Sequence, residues 1–274
     1  MAETLNFHET FQPEDTYISK ILELASDGFE GDKYTISEIA GIPTGEKKGK
    51  VIPHIKYSKY MGLVDYSCNK GVFKLTLTNL GSEMWRQDKY LHEDLSLWLM
   101  HYGICRPEFG APQWSYLIRK LNKGFNSDLS NSFIASMLQK EFGVSGGDAS
   151  KSVSVMKSSY SSGIFERIQY ADWDENLIFN EKCENVEYRF LYAYILLNSW
   201  EILFPSKMEI TLSEVLTDLC YGKIMGFNDE EVDSVLSRMS DDGYISINRQ
   251  LFPVTVIKMA SSNDVIDVLY SALM

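Results

Sequence analysis

A histidine and a carboxylate stand side by side near the start of the sequence, in the stretch NFHETF. His8 and Glu9 are residue types that act as general bases and metal ligands in hydrolytic reactions. No histidine follows at the fourth position after His8, so the pair does not form the HExxH helical face that binds zinc. Two interpretations stay open. Either His8 and Glu9 belong to a catalytic site, or Phe7 and Phe11 pin an N-terminal arm in which His8 satisfies a buried neighbour.

Two further groups of residues could support hydrolysis. Asp172, Asp174 and Glu175 form an acidic cluster, although closely spaced acids in a loop are weak evidence for a magnesium site. His101 lies in the apolar stretch LMHYGI, where we expect a histidine of the core. The sequence therefore leaves the ligands of any metal ion unassigned.

A second kind of chemistry is indicated by a basic segment in an acidic protein. The net charge is −12, and residues 171–274 contain 18 acidic against 7 basic side chains, so the first 170 residues are almost neutral. Within them, the segment 44–60 has one acid and these five lysines: Lys47, Lys48, Lys50, Lys56 and Lys59. Such a group, extended by His54, could bind DNA phosphates, or it could be a solvated helix face.

A second candidate DNA-binding surface is the stretch KSVSVMKSSY, which begins at Lys151. Lys151 and Lys157 would supply charge, and the small hydroxyl side chains could approach phosphates closely. The alternative is an amphipathic helix with Val153 and Met156 packed inward.

The elements around the lysine-rich segment follow a recognisable order. The first helix begins near Asp15. A capping box at Thr35 and Glu38 predicts the start of a second helix, and a third begins near Lys50. Two strands around the turn Asn69-Lys70-Gly71 come next. Helix, helix, turn, helix and hairpin is the order of a winged helix-turn-helix, with the lysines in the recognition position.

The rest of the chain predicts more helices and a second hairpin. Pro107 and Pro112 indicate a linker, and the hairpin near the C-terminus suggests a second winged-helix-like unit without a basic helix. The predicted class is mainly α with small β-hairpins. The predicted domains are an N-terminal winged helix-turn-helix (1–105), a helical middle region (106–170) and an acidic winged-helix-like C-terminal domain (171–274).

Composition bounds the remaining properties. No apolar run approaches the roughly 20 residues that a membrane helix needs, and nothing indicates a signal peptide, so we expect a cytoplasmic protein with no membrane partner. The four cysteines are far apart and none forms a CxxC pair, which predicts reduced thiols.

Several short motifs resemble a known family. HETF, GKVIPHIKYSKYMGLV, LTNLG, LWLMHYGI and DASKSVSVMKSSY are similar to segments of the domain-of-unknown-function family that includes SspB, whose members accompany bacterial DNA phosphorothioation genes. The resemblance implies a DNA-binding component of a phage-defence system, with other phosphorothioation proteins as partners. It also implies DNA nicking, for which His8 and Glu9 are the candidate catalytic residues and a divalent metal ion such as magnesium the candidate cofactor.

The chain departs from the family pattern just after HETF, because Glu14 and Tyr17 stand where an arginine and a tryptophan are usual. Two other functions remain open: a non-enzymatic subunit that tethers partner proteins to DNA, and a transcriptional repressor. Winged-helix proteins often bind duplex DNA as dimers, so we expect a homodimer.

Overall fold

The structure, a computed structural model, describes residues 5–125, 128–250 and 252–273. About 52% of the chain is helical, and the strands form small antiparallel sheets of three strands each. This confirms the prediction of a mainly helical chain with small β-hairpins. The chain divides into two compact units, Met1–Phe179 and Asn180–Met274, which are described separately.

The first unit opens with a 3-10 helix, Leu5–His8, followed by the elements around the basic segment. These are α1 (Asp15–Ser26), β1 (Glu30–Asp32), α2 (Lys33–Ala40), α3 (Val51–Tyr60), β2 (Val64–Asn69) and β3 (Val72–Leu77). The predicted hairpin is confirmed by the pairing of β2 with β3, and β1 adds to the other edge of β3, which gives the strand order β1-β3-β2.

The start of α2 corrects one prediction. The helix begins after Asp32, whose carboxylate accepts hydrogen bonds from the backbone N–H groups of Tyr34 and Thr35. The predicted capping box at Thr35 is wrong, since Thr35 already lies inside the helix and its hydroxyl donates to Asp32 at 2.9 Å. An aspartate caps a helix N-terminus as well as a threonine does, and here it comes first in the chain.

The rest of the first unit repeats this order of elements. They are α4 (Asn79–Gln87), α5 (Asp94–Cys105), α6 (Pro112–Tyr116) with a π-helical turn (Leu117–Leu121), β4 (Asp128–Ser130), α7 (Asn131–Phe142), α8 (Gly146–Ser161), β5 (Ala171–Trp173) and β6 (Asn176–Phe179). The strand order is β4-β6-β5. Helix α5 is buried on all sides from Leu95 to Cys105, so it forms the centre of this unit.

The second unit contains a third set of the same kind. Its elements are a 3-10 turn (Val186–Tyr188), α9 (Arg189–Leu203), β7 (Glu209–Thr211), α10 (Leu212–Thr217), α11 (Tyr221–Met225), α12 (Asp229–Asp241), β8 (Ile245–Asn248), β9 (Thr255–Lys258) and α13 (Asn263–Ile266). The sheet again has the order β7-β9-β8. All four cysteines lie in the described ranges, and none of them forms a disulfide, as predicted. None of the helices in the described ranges combines the length and hydrophobicity that spanning a membrane requires.

Candidate nucleic-acid interface

Lys47 and Lys48 lie in the loop between α2 and α3, just before α3, which begins at Val51, close to its predicted start near Lys50. Both side chains are exposed, and neither forms an ion pair with any residue that the structure describes. Their charges are therefore available to a ligand.

The shape of this loop is fixed by a residue that the sequence analysis missed. The Lys33 ammonium donates to the carbonyl oxygens of Gly45 at 2.7 Å and Glu46 at 3.2 Å, which holds the loop against the start of α2. Gly49 faces Thr44 so closely that a Cβ would lie 2.3 Å from the threonine hydroxyl. Only glycine fits there, so Gly49 and Lys33 together position the two exposed lysines.

Lys50 has a different environment from its neighbours. Its ammonium is 2.7 Å from the Glu14 carboxylate, and both side chains are about three-tenths exposed, at 26% and 32%. The same ammonium lies 5.1 Å from the centre of the Tyr17 ring and 5.7 Å from that of Phe11. Lys50 is thus neutralised within the protein and tied to the N-terminal segment.

Helix α3 has one outward face. Ile52, Lys56 and Lys59 recur on it at the spacing of successive helical turns, and the Lys59 ammonium lies 5.0 Å from the centre of the Tyr66 ring on β2. The opposite face is buried, including Tyr57, whose hydroxyl donates to the Phe11 carbonyl at 2.8 Å.

His54, a predicted DNA-binding residue, belongs to the buried face of α3. Its Nδ1 bonds to the Lys50 carbonyl at 2.6 Å, and its Nε2 accepts from the Glu14 N–H at 3.1 Å. Burial lowers the pKa of His54 to about 4, so the ring is neutral at physiological pH. Both ring nitrogens are used inside the protein, and His54 supports α3 instead of reaching a ligand.

The β2–β3 hairpin adds two lysines that the sequence analysis did not propose. Lys70 and Gly71 form the turn with positive φ angles of 48° and 84°, which places the exposed Lys70 at the tip. Lys74 is exposed on β3, opposite Glu30 on β1. The sequence indicated the position of Lys70 through the turn Asn-Lys-Gly, because a side chain in a two-residue hairpin turn is exposed to solvent.

His8 in the HETF segment is fully buried. Its Nδ1 accepts from the Thr10 N–H at 3.1 Å, so the neutral ring carries its proton on Nε2, which lies 3.3 Å from the Ser152 hydroxyl of α8. Burial, with a smaller effect of Lys151, lowers the pKa of His8 to about 4. The geometry is that of a neutral structural histidine between the N-terminal segment and α8.

Glu9 and Thr10 form a turn in which both φ angles are positive, 49° and 82°. Such a conformation is unfavourable for residues other than glycine and is often found at functional sites. The half-buried Glu9 carboxylate accepts from the Gly49 N–H at 3.3 Å, while Thr10 is exposed. The turn therefore lies directly beside the lysine-bearing loop.

The second predicted surface lies on α8. Lys151 pairs with Asp148 at 3.1 Å, and Lys157 pairs with Asp174 at 2.8 Å. Val153 and Met156 are buried on the inner face, as the amphipathic alternative required. The lysines lie on the outer face, so the helix is both amphipathic and basic on its exposed side.

The acidic cluster and His101, the remaining candidates for hydrolysis, do not form a common site in the described residues. Asp174 is 94% exposed and is bound to Lys157, and Asp172 and Glu175 are exposed as well. His101 is buried in a cluster of aromatic rings, with its Nδ1 2.9 Å from the Tyr160 hydroxyl. This is the core role that was expected of His101.

No family model matches the chain, and no curated protein matches it either. Two crystal structures of SspB, however, match it in fold. A magnesium-bound SspB structure has a TM-score of 0.78 and 14% sequence identity, and the match covers 99% of this chain and 87% of that one. A second SspB structure has a TM-score of 0.76 with the same identity and coverage. Such low identity shows the fold alone, and in the fold the predicted resemblance to SspB is confirmed.

The magnesium ion of that neighbour raises the question of whether this chain has ligands for one. Within the described ranges, no three His, Cys, Asp or Glu side chains come together in a group that could hold a metal ion. His8 has both nitrogens engaged, and Glu9 is bound to the loop. These residues do not fit a magnesium site.

Proposed function

We propose that the chain binds duplex DNA through the first three helices and the β2–β3 hairpin. Their order, with strands β1-β3-β2, is that of a winged helix-turn-helix, in which the third helix enters the major groove. The observation that carries the proposal is the exposure of cationic side chains along this one element set. Lys47 and Lys48 precede α3, Lys56 and Lys59 lie on its outer face, and Lys70 is at the hairpin tip.

The residues of this surface, of which Ile52 and Lys56 are partly exposed, divide into two roles. Ile52 and Lys56 are on the outward face of α3, where an apolar side chain can contact a thymine methyl group and a lysine can reach guanine acceptors. Lys47, Lys48, Lys59 and Lys70 flank this face and are suited to phosphates. Lys50 contributes little, because Glu14 neutralises it. Four lysines on phosphates predict a slope of roughly −3.6 for log binding constant against log salt concentration.

The cellular role follows from the fold resemblance. We assign the DNA binding to a phosphorothioation-based defence system, since the fold is that of SspB over nearly the whole chain. Other proteins of such a system are the expected partners, and the homodimer stays a prediction. The two alternatives, a tethering subunit and a repressor, use the same DNA surface. Protection of one short sequence in a footprint would favour the repressor.

The test is the double variant Lys47→Glu/Lys48→Glu, assayed by fluorescence anisotropy with a labelled duplex. We expect the binding constant to fall at least tenfold, since two phosphate contacts become repulsive. The matched control is Lys20→Glu/Lys89→Glu, which makes the same charge change at a partly exposed lysine of α1, paired with Glu23, and at an exposed lysine of the α4–α5 connection. Equal loss in both variants would show that only net charge matters, and no loss in the first would refute the proposal.

Strand nicking is a second candidate function. The observation that favours it is the strained Glu9–Thr10 turn, which places Glu9 beside the exposed lysine loop. The assay is conversion of supercoiled plasmid to open circles in magnesium buffer. Nicking that survives in Glu9→Gln would remove Glu9 from the proposal, and a loss only on His8→Gln would have to be separated from unfolding by circular dichroism.

A further inference from the structure

The chain contains the same set of elements three times. A helix, a three-residue strand, two helices and two strands, with the first strand beside the third, occur in residues 15–77 and in residues 112–179. Residues 189–258 have the same order with one additional short helix, α11, between α10 and α12. The middle set was expected to be only helical. In each set a side chain at the end of the short strand caps the next helix: Asp32, Ser130 and Thr211.

This repetition gives α8 the position in the middle set that α3 has in the first. Helix α8 follows α7 and precedes the β5–β6 hairpin, as α3 follows α2 and precedes β2–β3. Its outward side bears Lys151, Ser154 and Lys157, one helical turn apart. The third set differs, because α12 in the same position begins with Asp229, Glu230 and Glu231. Topology alone thus does not decide function, and the charge of the outward face does.

The N-terminal segment joins α3 and α8. It contacts α8 through His8 and Ser152, and the Ser152 hydroxyl also lies 3.4 Å from the Leu5 carbonyl. The segment contacts α3 through the ring of Phe7, whose centre is 4.9 Å from that of Tyr57, and through the hydroxyl of Tyr57, which donates to Phe11. Both helices therefore pack on the same short piece of chain.

The spacing limits what α8 can contact. Packed helices have axes about 8–10 Å apart, so α3 and α8, which share one intervening segment, lie within roughly 20 Å of each other. Successive major-groove positions on one face of DNA are about 34 Å apart. That spacing excludes α8 from the next major groove on the same face of DNA, so any contact that α8 makes with the same duplex is to the phosphate backbone.

The ion pairs on α8 do not prevent this role. Asp174 is 94% exposed and the Lys151 side chain 53% exposed, and pairs of this kind contribute at most about 1 kcal/mol. A phosphate can therefore replace either carboxylate as the partner of its lysine. The exposed Ser154 hydroxyl forms no hydrogen bond to another described side chain or carbonyl and can donate to the same phosphates.

We infer that α8 is a second DNA-contacting helix, which binds the phosphate backbone next to the groove that α3 occupies. This inference rests on the proposed DNA binding and adds a second set of contacts to it. Because phosphates are the same in every duplex, α8 increases affinity without reading sequence.

The test is the salt dependence of duplex binding by the full chain with Lys151→Gln/Lys157→Gln. Removal of two phosphate contacts should reduce the slope of log binding constant against log salt by about 1.8, equally on duplexes of different sequence. An unchanged slope, or a loss confined to one sequence, would overturn the inference. A second variant, Asp174→Asn, releases Lys157 and should strengthen binding, and weaker binding would contradict the assignment.

A control variant distinguishes failure of the α8 assignment from failure of the proposed DNA binding itself. Lys20→Gln/Lys89→Gln removes two lysines elsewhere in the same unit and should leave the slope unchanged. If Lys47→Glu/Lys48→Glu loses binding while the α8 variant does not, the first interface stands and only the α8 assignment fails. If neither variant loses binding, both fail.

Discussion

Two of the three buried histidines of the first unit, His8 and His54, make its stability depend on pH between 7 and 5. Burial lowers the pKa of His8 and of His54 to about 4, whereas an imidazole in the unfolded chain titrates near 6.5. Because the folded-state pKa is the lower one, the unfolded state binds protons first as the pH falls. Stability is complete above pH 6.5 and is lost as the pH falls towards 4.

The magnitude follows from linkage. At pH 5 the unfolded imidazole is almost fully protonated and the folded one only about one-tenth, so each histidine costs about 2 kcal/mol between pH 7 and pH 5. His8 and His54 together cost about 4 kcal/mol, a large share of the stability of an ordinary domain. Carboxylates contribute little above pH 5, because their unfolded pKa values lie near 4.

The assay is urea unfolding at pH 7 and pH 5, followed by tryptophan fluorescence. This signal reports mainly on the first unit, which contains four of the five tryptophans: Trp85, Trp98, Trp114 and Trp173. His8→Gln should halve the pH-dependent loss, whatever its effect on stability at pH 7. His92→Gln, which removes an exposed imidazole, is the matched control. If His8→Gln loses as much stability between pH 7 and pH 5 as the wild type, His8 is not a neutral buried histidine in the folded protein.

Two further predictions concern the basic surface and the core. Glu14→Gln removes the partner of Lys50 and should strengthen DNA binding, with a salt slope that is steeper by about 0.9. Anisotropy titrations at several salt concentrations measure both quantities. Weaker binding would refute the neutralising role of Glu14. Gly103→Ala should destabilise the protein by about 1–3 kcal/mol in urea unfolding, because the new Cβ would lie 2.1 Å from the Met61 carbonyl oxygen. The control is Gly147→Ala, whose Cβ would lie no closer than 3.8 Å to another atom and which should not destabilise the protein.

The sequence predicted the elements that carry a strong periodic signal. The α3 region and the β2–β3 hairpin could be read from the turn Asn-Lys-Gly and the apolar spacing around it. The short strands β1, β4 and β7 could not, because three residues such as Glu30-Gly31-Asp32 show no alternation and become a strand only by pairing with a distant one. Because these strands were not predicted, the middle repeat was missed and the middle of the chain looked purely helical.

The candidate site was predictable in its charges but not in its contacts. The five lysines were evident from composition, and so was the departure of Glu14 from the family pattern. That Glu14 neutralises Lys50, and that His54 faces inward, depends on how the N-terminal segment packs on α3. Contacts between residues 36 to 40 positions apart leave no local pattern in a sequence. Lys33 and Lys70 were missed because each is a single charge outside the lysine-rich run.

The most direct measurement is the binding of the wild-type chain to a short duplex at salt concentrations from about 50 to 200 mM, a range over which phosphate contacts dominate affinity. The four phosphate-facing lysines of the first element set predict a slope of about −3.6, which the two lysines of α8 bring to about −5.4. A slope near zero, or no binding at the lowest salt concentration, would contradict the central claim that this acidic protein presents a cationic surface to DNA.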